Sequence, residues 1–138
     1  MELRTRPVAK IDVLIVEDDE SHVRLLRRAF RRSAASVELR YARDLRGMRS
    51  ELNRKRPDFL ILDYLLPDGR CVDALAEEAL LDKLPVVVLT SFRDRQLDSE
   101  IKNMGVRALI QKSRSGFMRL PQLVLSEFPG LTNSPGIH

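Results

Sequence analysis

The stretch FLILDYLLPDG, residues 59–69, decides the fold. Four apolar residues in succession, Phe59 to Leu62, end on the carboxylate of Asp63, and Pro67, Asp68 and Gly69 then turn the chain. A short apolar run closed by turn residues has the pattern of a strand buried on both faces. Four more runs of similar length surround it: DVLIV (12–16), VELRYA (37–42), PVVVLT (85–90) and ALIQ (108–111). VELRYA alternates polar and apolar residues, as an edge strand does.

The segments between these runs have helical spacing. Val23, Leu26 and Phe30 stand at i, i+3, i+7, and Leu45, Met48 and Leu52 repeat that spacing. Residues 71–82 are expected to form a third helix, and 94–104 a fourth that Gly105 ends. A fifth is expected from about Leu120 to Phe128, with Pro121 in its first turn. Alternation of this kind predicts an α/β fold: a doubly wound, five-stranded parallel sheet of order 2-1-3-4-5 with five helices.

With 138 residues, 43% hydrophobic and 32% charged, the chain suits one domain. The expected division is a flexible N-terminal segment over 1–9, the domain over 10–128, and a tail or linker stub over 129–138. No apolar run reaches membrane-spanning length and MELRTRPVAK lacks a secretory signal, so a cytoplasmic location is expected. Cys71, alone, has no disulfide partner and reads as a packing residue. No helix-turn-helix, phosphate-binding loop or zinc-ligand spacing is present, so no DNA-binding domain is expected. The formal charge of +4 is unevenly spread: Arg24 to Arg56 holds 12 Lys/Arg against Glu38, Asp44 and Glu51. That run suits a solvated helix surface, an acidic protein partner or nucleic acid.

In doubly wound sheets, ligands sit beyond the carboxyl ends of the strands. There the sequence places Glu17, Asp18, Asp19 and Glu20 after the first strand, Asp63 at the end of the third, Thr90 and Ser91 after the fourth, and Lys112 after the fifth. Singly, the acids read as helix caps, Asp63 as a turn opener and Lys112 as a strand-end cation. Together, clustered carboxylates need a compensating cation, and an all-oxygen set suits Mg²⁺ completed by a phosphate. Thr90 and Lys112 would then donate to the remaining phosphate oxygens.

VLIVEDD, LILDYLLPDG, VVVLTS and LIQKS, in this order and spacing, resemble the receiver domains of two-component response regulators over roughly residues 11–128. The resemblance implies a flavodoxin-like receiver fold, with Asp63 as phosphoacceptor. The phosphoryl group would come from a phosphohistidine of a sensor histidine kinase or histidine phosphotransfer protein. It also implies metal binding by Glu17, Asp18, Asp63 and the Leu65 backbone carbonyl, and phosphoryl contacts from Thr90 and Lys112. Such a domain catalyses only its own phosphorylation and dephosphorylation, and switches protein–protein interactions. Three departures stand out. Ser113 replaces the family's usual proline after the lysine, Leu109 replaces an aromatic residue, and the large apolar Leu65 and Phe92 stand where the family controls water access to the acyl phosphate. Slow autodephosphorylation is expected from the last. Two further readings remain: a degenerate or nucleic-acid-binding receiver, and a small phosphohydrolase, which would want an acid where Leu65 stands.

Overall fold

The computed structural model describes residues 10–131; the expected flexible segment 1–9 and residues 132–138 of the expected tail lie outside the described residues. The main sheet consists of β1 (Ile11–Val16), β2 (Val37–Ala42), β3 (Phe59–Asp63), β4 (Val86–Thr90) and β5 (Ala108–Gln111). All pairs are parallel and the spatial order is β2-β1-β3-β4-β5, as the alternation of runs predicts. The helices are α1 (Glu20–Arg31), α2 (Leu45–Arg54), α3 (Cys71–Glu78), α4 (Arg95–Asn103) and α5 (Arg114–Ser126). None of the helices among the described residues is long and apolar enough to cross a membrane.

Alternation along the strands divides the interior into two layers. Leu14, Val16, Leu60, Leu62, Val86, Val88 and Leu109 pack with α2, α3 and α4, whereas Val13, Ile15, Phe59, Ile61, Val87, Leu89 and Ile110 pack with α1 and α5. Every residue of β1, β3 and β4 is buried, which explains their unbroken apolar runs; β2, at the sheet edge, is mostly half-buried. Cys71 is buried in the α3 layer as a packing residue, its thiol pushed up to about 12 by burial.

One residue of β1 breaks the apolar rule. Asp12 is buried, and its Oδ1 accepts from Arg40 Nε of β2 at 2.9 Å. Arg40 also donates to Glu51 Oε1 at 2.8 Å and to the Lys55 carbonyl at 2.6 Å, closing the end of the sheet opposite Asp63. Arg40→Ala would leave a buried carboxylate without its main partner, and is expected to lower stability by about 3 kcal/mol. A shifted urea midpoint with unchanged slope would measure this; a shift equal to that of an exposed arginine, such as Arg24→Ala, would refute it.

Two helices differ from expectation. Residues 71–82 do not form one helix: α3 ends at Ala79, whose φ of 50° is left-handed, and a 3-10 turn over Leu80–Asp82 follows. The break lets Leu80 and Leu84 bury in the core. The fifth helix starts at Arg114 rather than near Leu120, so Pro121 lies in its interior. Pro121 removes one intrahelical donor, but the helix buries Phe117, Leu120 and Val124 against α1 and the sheet, and this packing outweighs the loss. Its first turn is possible because residue 116 is glycine: a Cβ there would lie 2.1 Å from the Gln111 carbonyl oxygen. A further 3-10 turn, Pro129–Leu131, occupies the start of the expected tail.

Candidate functional site

The carboxyl ends of β1, β3, β4 and β5 surround a cleft of about 320 Å³ lined by Asp18, Asp63, Leu65, Thr90, Phe92 and Lys112, among others. Asp63 closes β3 and is buried, with only 3% of its surface exposed. After it the chain makes a small antiparallel hairpin, Leu65–Leu66 against Gly69–Arg70, around Pro67 and Asp68. Asp68 both turns the chain and anchors it. Its two oxygens accept from the backbone N–H groups of Leu45 and Arg46 at 2.8 and 3.0 Å, tying the hairpin to the start of α2.

The chain leaving β1 divides its acids by role. Asp19 caps α1, accepting from the backbone of Ser21 and His22. Glu17 is turned inward and 2% exposed, whereas Asp18 is exposed beside it. Glu17, Asp18 and Asp63 each offer a carboxylate oxygen, and these three atoms lie within 4.8 Å of one another. Lys112, carried at the end of β5, holds the group together: Nζ lies 2.6 Å from Asp63 Oδ2 and 2.8 Å from Glu17 Oε1. The six residues expected at the site therefore converge, with Leu65 in the hairpin wall.

Charge explains the electrostatics. Burial pushes the Asp63 carboxyl up to about 7; the Lys112 hydrogen bond opposes this, and the Glu17 charge reinforces it. Burial also works against ionised Glu17, but hydrogen bonds from Lys112 and the Asp19 backbone hold it below the usual glutamate range. Lys112 stays above the usual lysine range: burial disfavours its charge, and its bonds to Asp63 and Glu17 more than restore it. The fit to a hard divalent cation rests on this donor set: three convergent carboxylates, two of them buried, and one ammonium for partial neutralisation.

Thr90 is fully buried, and its hydroxyl donates to the Phe92 carbonyl at 2.7 Å, so it serves its own loop rather than Asp63. The peptide bonds of the described residues are all trans, including that between Lys112 and Ser113. Ser113 caps α5, its Oγ accepting from Gly116 N at 3.0 Å. Leu109 is packed in the layer beneath α4. The structure adds His22, which the sequence does not place at the site: Nδ1 lies 3.4 Å from Glu17 Oε1, and its ring meets Phe117 edge-on. A single histidine at helical spacing carries no signal that distinguishes this contact.

Comparison with known proteins places the chain in a family. A family model described as the response regulator receiver domain matches residues 13–122. The methanogenesis regulatory protein FilR1 of Methanothrix harundinacea is 32% identical over 116 residues, which are 81% of this chain and 26% of FilR1. The transcriptional regulatory protein PdtaR of Mycobacterium tuberculosis is 32% identical over 83 residues, 59% of this chain and 40% of PdtaR. The chain thus spans less than half the length of either relative. Among solved structures, the phosphorylated cyanobacterial phytochrome response regulator RcpA superposes with a TM-score of 0.74 at 24% identity, covering 93% of this chain and 100% of RcpA. The Mn²⁺-bound form of response regulator Rcp1 gives 0.72 at 26% identity, covering 90% and 96%. With its order of strands, its acidic cleft and its matched sequence in agreement, the chain belongs to the response regulator receiver domain family of two-component systems.

Proposed function

We propose that this receiver takes a phosphoryl group onto Asp63 from a phosphohistidine of a sensor histidine kinase or histidine phosphotransfer protein in the cytoplasm. One observation carries the reading: a buried carboxylate at a strand end, bridged by the Lys112 ammonium to Glu17 and open to a cleft. In the reaction an Asp63 oxygen attacks phosphorus, the phosphorus–nitrogen bond breaks, and the imidazole leaves. Transfer of this kind needs positioning and charge stabilisation more than further covalent chemistry.

Glu17, Asp18, Asp63 and the Leu65 carbonyl would hold Mg²⁺, which supplies positive charge to the phosphoryl oxygens and favours ionised Asp63. Lys112 donates to a phosphoryl oxygen once the group is bound, and Thr90 does so by exchanging the Phe92 carbonyl for it. That exchange releases the loop after β4, which is how modification would alter binding to a partner protein. The Mn²⁺-bound Rcp1 and phosphorylated RcpA structures support the same reading.

The test is intact mass after treatment with acetyl phosphate, with and without Mg²⁺. A single metal-dependent phosphoryl addition, absent in Asp63→Asn, is expected. No addition to the wild type, or addition that survives in Asp63→Asn, would overturn the assignment. Followed over time after donor removal, the adduct should decay slowly, because Leu65 and Phe92, 59% and 54% exposed, flank the cleft with apolar surface and offer no group to orient water. Replacing both with small polar residues should shorten its half-life.

A further inference from the structure

Among the described residues the sheet ends at β2, with no further strand beside it. At the two ends of the β1–β2 pairing, Ile11 N donates to Ser36 O and Glu17 N donates to Ala42 O. Continuing this alternation, even-numbered residues of β2 bond to β1, and the N–H and C=O groups of Val37, Leu39 and Tyr41 point away from the sheet. No hydrogen bond from another described element reaches those backbone groups.

Natural edges are usually guarded by charge, proline or a bulge. Here β2 runs six residues in unbroken register without proline. Its one cation, Arg40, is drawn inward to Asp12 and Glu51, and its one acid, the exposed Glu38, alternates onto the face opposite Val37, Leu39 and Tyr41, so neither charge of β2 stands in that face. The side chains of Val37, Leu39 and Tyr41 lie on the α1 side, where they form, with Arg27, Phe30 and Arg31, a groove of about 430 Å³.

Charge specifies the occupant. No acid stands between Glu20 and Glu38, and the exposed Arg24, Arg28, Arg31 and Arg32 have no ion pair among the described residues. Arg27 is held over the Tyr41 ring at 5.2 Å and donates to its hydroxyl, which leaves its charge uncompensated. A second copy of this chain would bring Arg27 and Arg31 against their own counterparts. A nucleic acid would use the arginines but neither the aliphatic floor nor the free strand edge.

We propose that the β2 edge and the α1–β2 groove form a docking site for an extended acidic segment of a partner protein. The segment adds as a sixth strand whose groove-facing positions, every second residue, carry both apolar side chains over Val37, Leu39 and Tyr41 and carboxylates that meet Arg27 and Arg31. The site lies at the edge of the sheet and shares no lining residue with the Asp63 cleft.

The probe is a fluorescent eight-residue peptide, Thr-Val-Thr-Glu-Thr-Val-Thr-Glu, whose Val and Glu side chains share one face as a strand, titrated by anisotropy against the full chain and mapped by amide chemical shifts. Saturable binding with shifts centred on β2 and α1 is expected, weakened about tenfold or more by Arg27→Glu with Arg31→Glu. That double variant should still take phosphoryl from acetyl phosphate at the wild-type rate, which separates lost docking from a damaged fold. Alternate N-methylation along one edge of the peptide, which removes its donors while keeping every side chain and charge, should abolish binding for one of the two isomers. Absence of binding, indifference to both N-methylated isomers, or equal affinity for the same peptide with Lys in place of each Glu would overturn the proposal. So would tighter binding of a single-stranded oligonucleotide to the same residues, which would assign the surface to nucleic acid.

Discussion

Lys112→Ala slows phosphoryl incorporation from acetyl phosphate by about 100-fold, the scale expected for losing one preorganised donor from a buried transition-state site. The ammonium stands 2.6 Å from Asp63 and 2.8 Å from Glu17, so it is the nearest positive charge to the oxygens that gain charge during transfer. Its removal has a second, opposite effect. Lys112 occupies carboxylate oxygens that a divalent cation would also use, so Mg²⁺ binding to the alanine variant should be equal to or tighter than in the wild type. Slow transfer with intact metal binding separates a phosphoryl-contacting role from a structural one. Lys112→Arg should not restore the rate, because a planar guanidinium cannot take the place of a compact ammonium between two buried carboxylates. Wild-type incorporation rates in Lys112→Ala would remove Lys112 from the reaction.

Asp63→Asn raises the stability of the metal-free protein, and does so more as pH rises. The Asp63 carboxyl ionises near 7 in the fold and near the ordinary aspartate value when unfolded, so between those values the native state binds the extra proton. Stability from this group is therefore complete below about pH 4 and is lost as pH rises through about 7. At about pH 8 the fold holds a buried carboxylate beside Glu17, and the amide relieves it, for a gain of about 2 kcal/mol. Glu17 behaves oppositely, its contribution being lost only as pH falls below the usual glutamate range, so the two windows do not overlap. Urea unfolding in chelator at about pH 5 and pH 8 should show the wild type losing ground to the variant across this interval. Adding Mg²⁺ should stabilise the wild type more than the variant. A difference between the two proteins that does not change with pH would contradict the burial argument.

Much of this is legible in the chain itself. The three central strands stand out because a parallel strand in mid-sheet is buried on both faces, the two edge strands follow from the alternation with helices, and the topology then brings Glu17, Asp18, Asp63, Thr90 and Lys112 to one end without further information. What the sequence hides depends on contacts between distant elements. Asp12 is concealed inside an apolar run because its partner, Arg40, lies on the neighbouring strand. The start of α5 is obscured because Pro121 looks like a first-turn residue, whereas burial of Phe117 and Leu120 and the close approach at Gly116 draw the helix back to Arg114. Ala79 has no local signal for its left-handed turn. The Thr90 bond to its own loop, and the neighbours of His22, are matters of rotamer and packing.

The loop after β4 also makes the molecule optically readable. Phe92, whose carbonyl accepts from Thr90, meets the Tyr64 ring edge-on at 6.4 Å between centroids. The chain has no tryptophan and two tyrosines, Tyr41 and Tyr64, at the far edge of the sheet and at the cleft respectively. Ultraviolet emission therefore originates from one chromophore beside Asp63 and one beside the β2 edge. With Tyr41→Phe, the remaining fluorophore becomes a label-free gauge of the Phe92 loop; with Tyr64→Phe, the other reports on the α1–β2 groove. The two halves of the surface can be followed separately without attaching a dye.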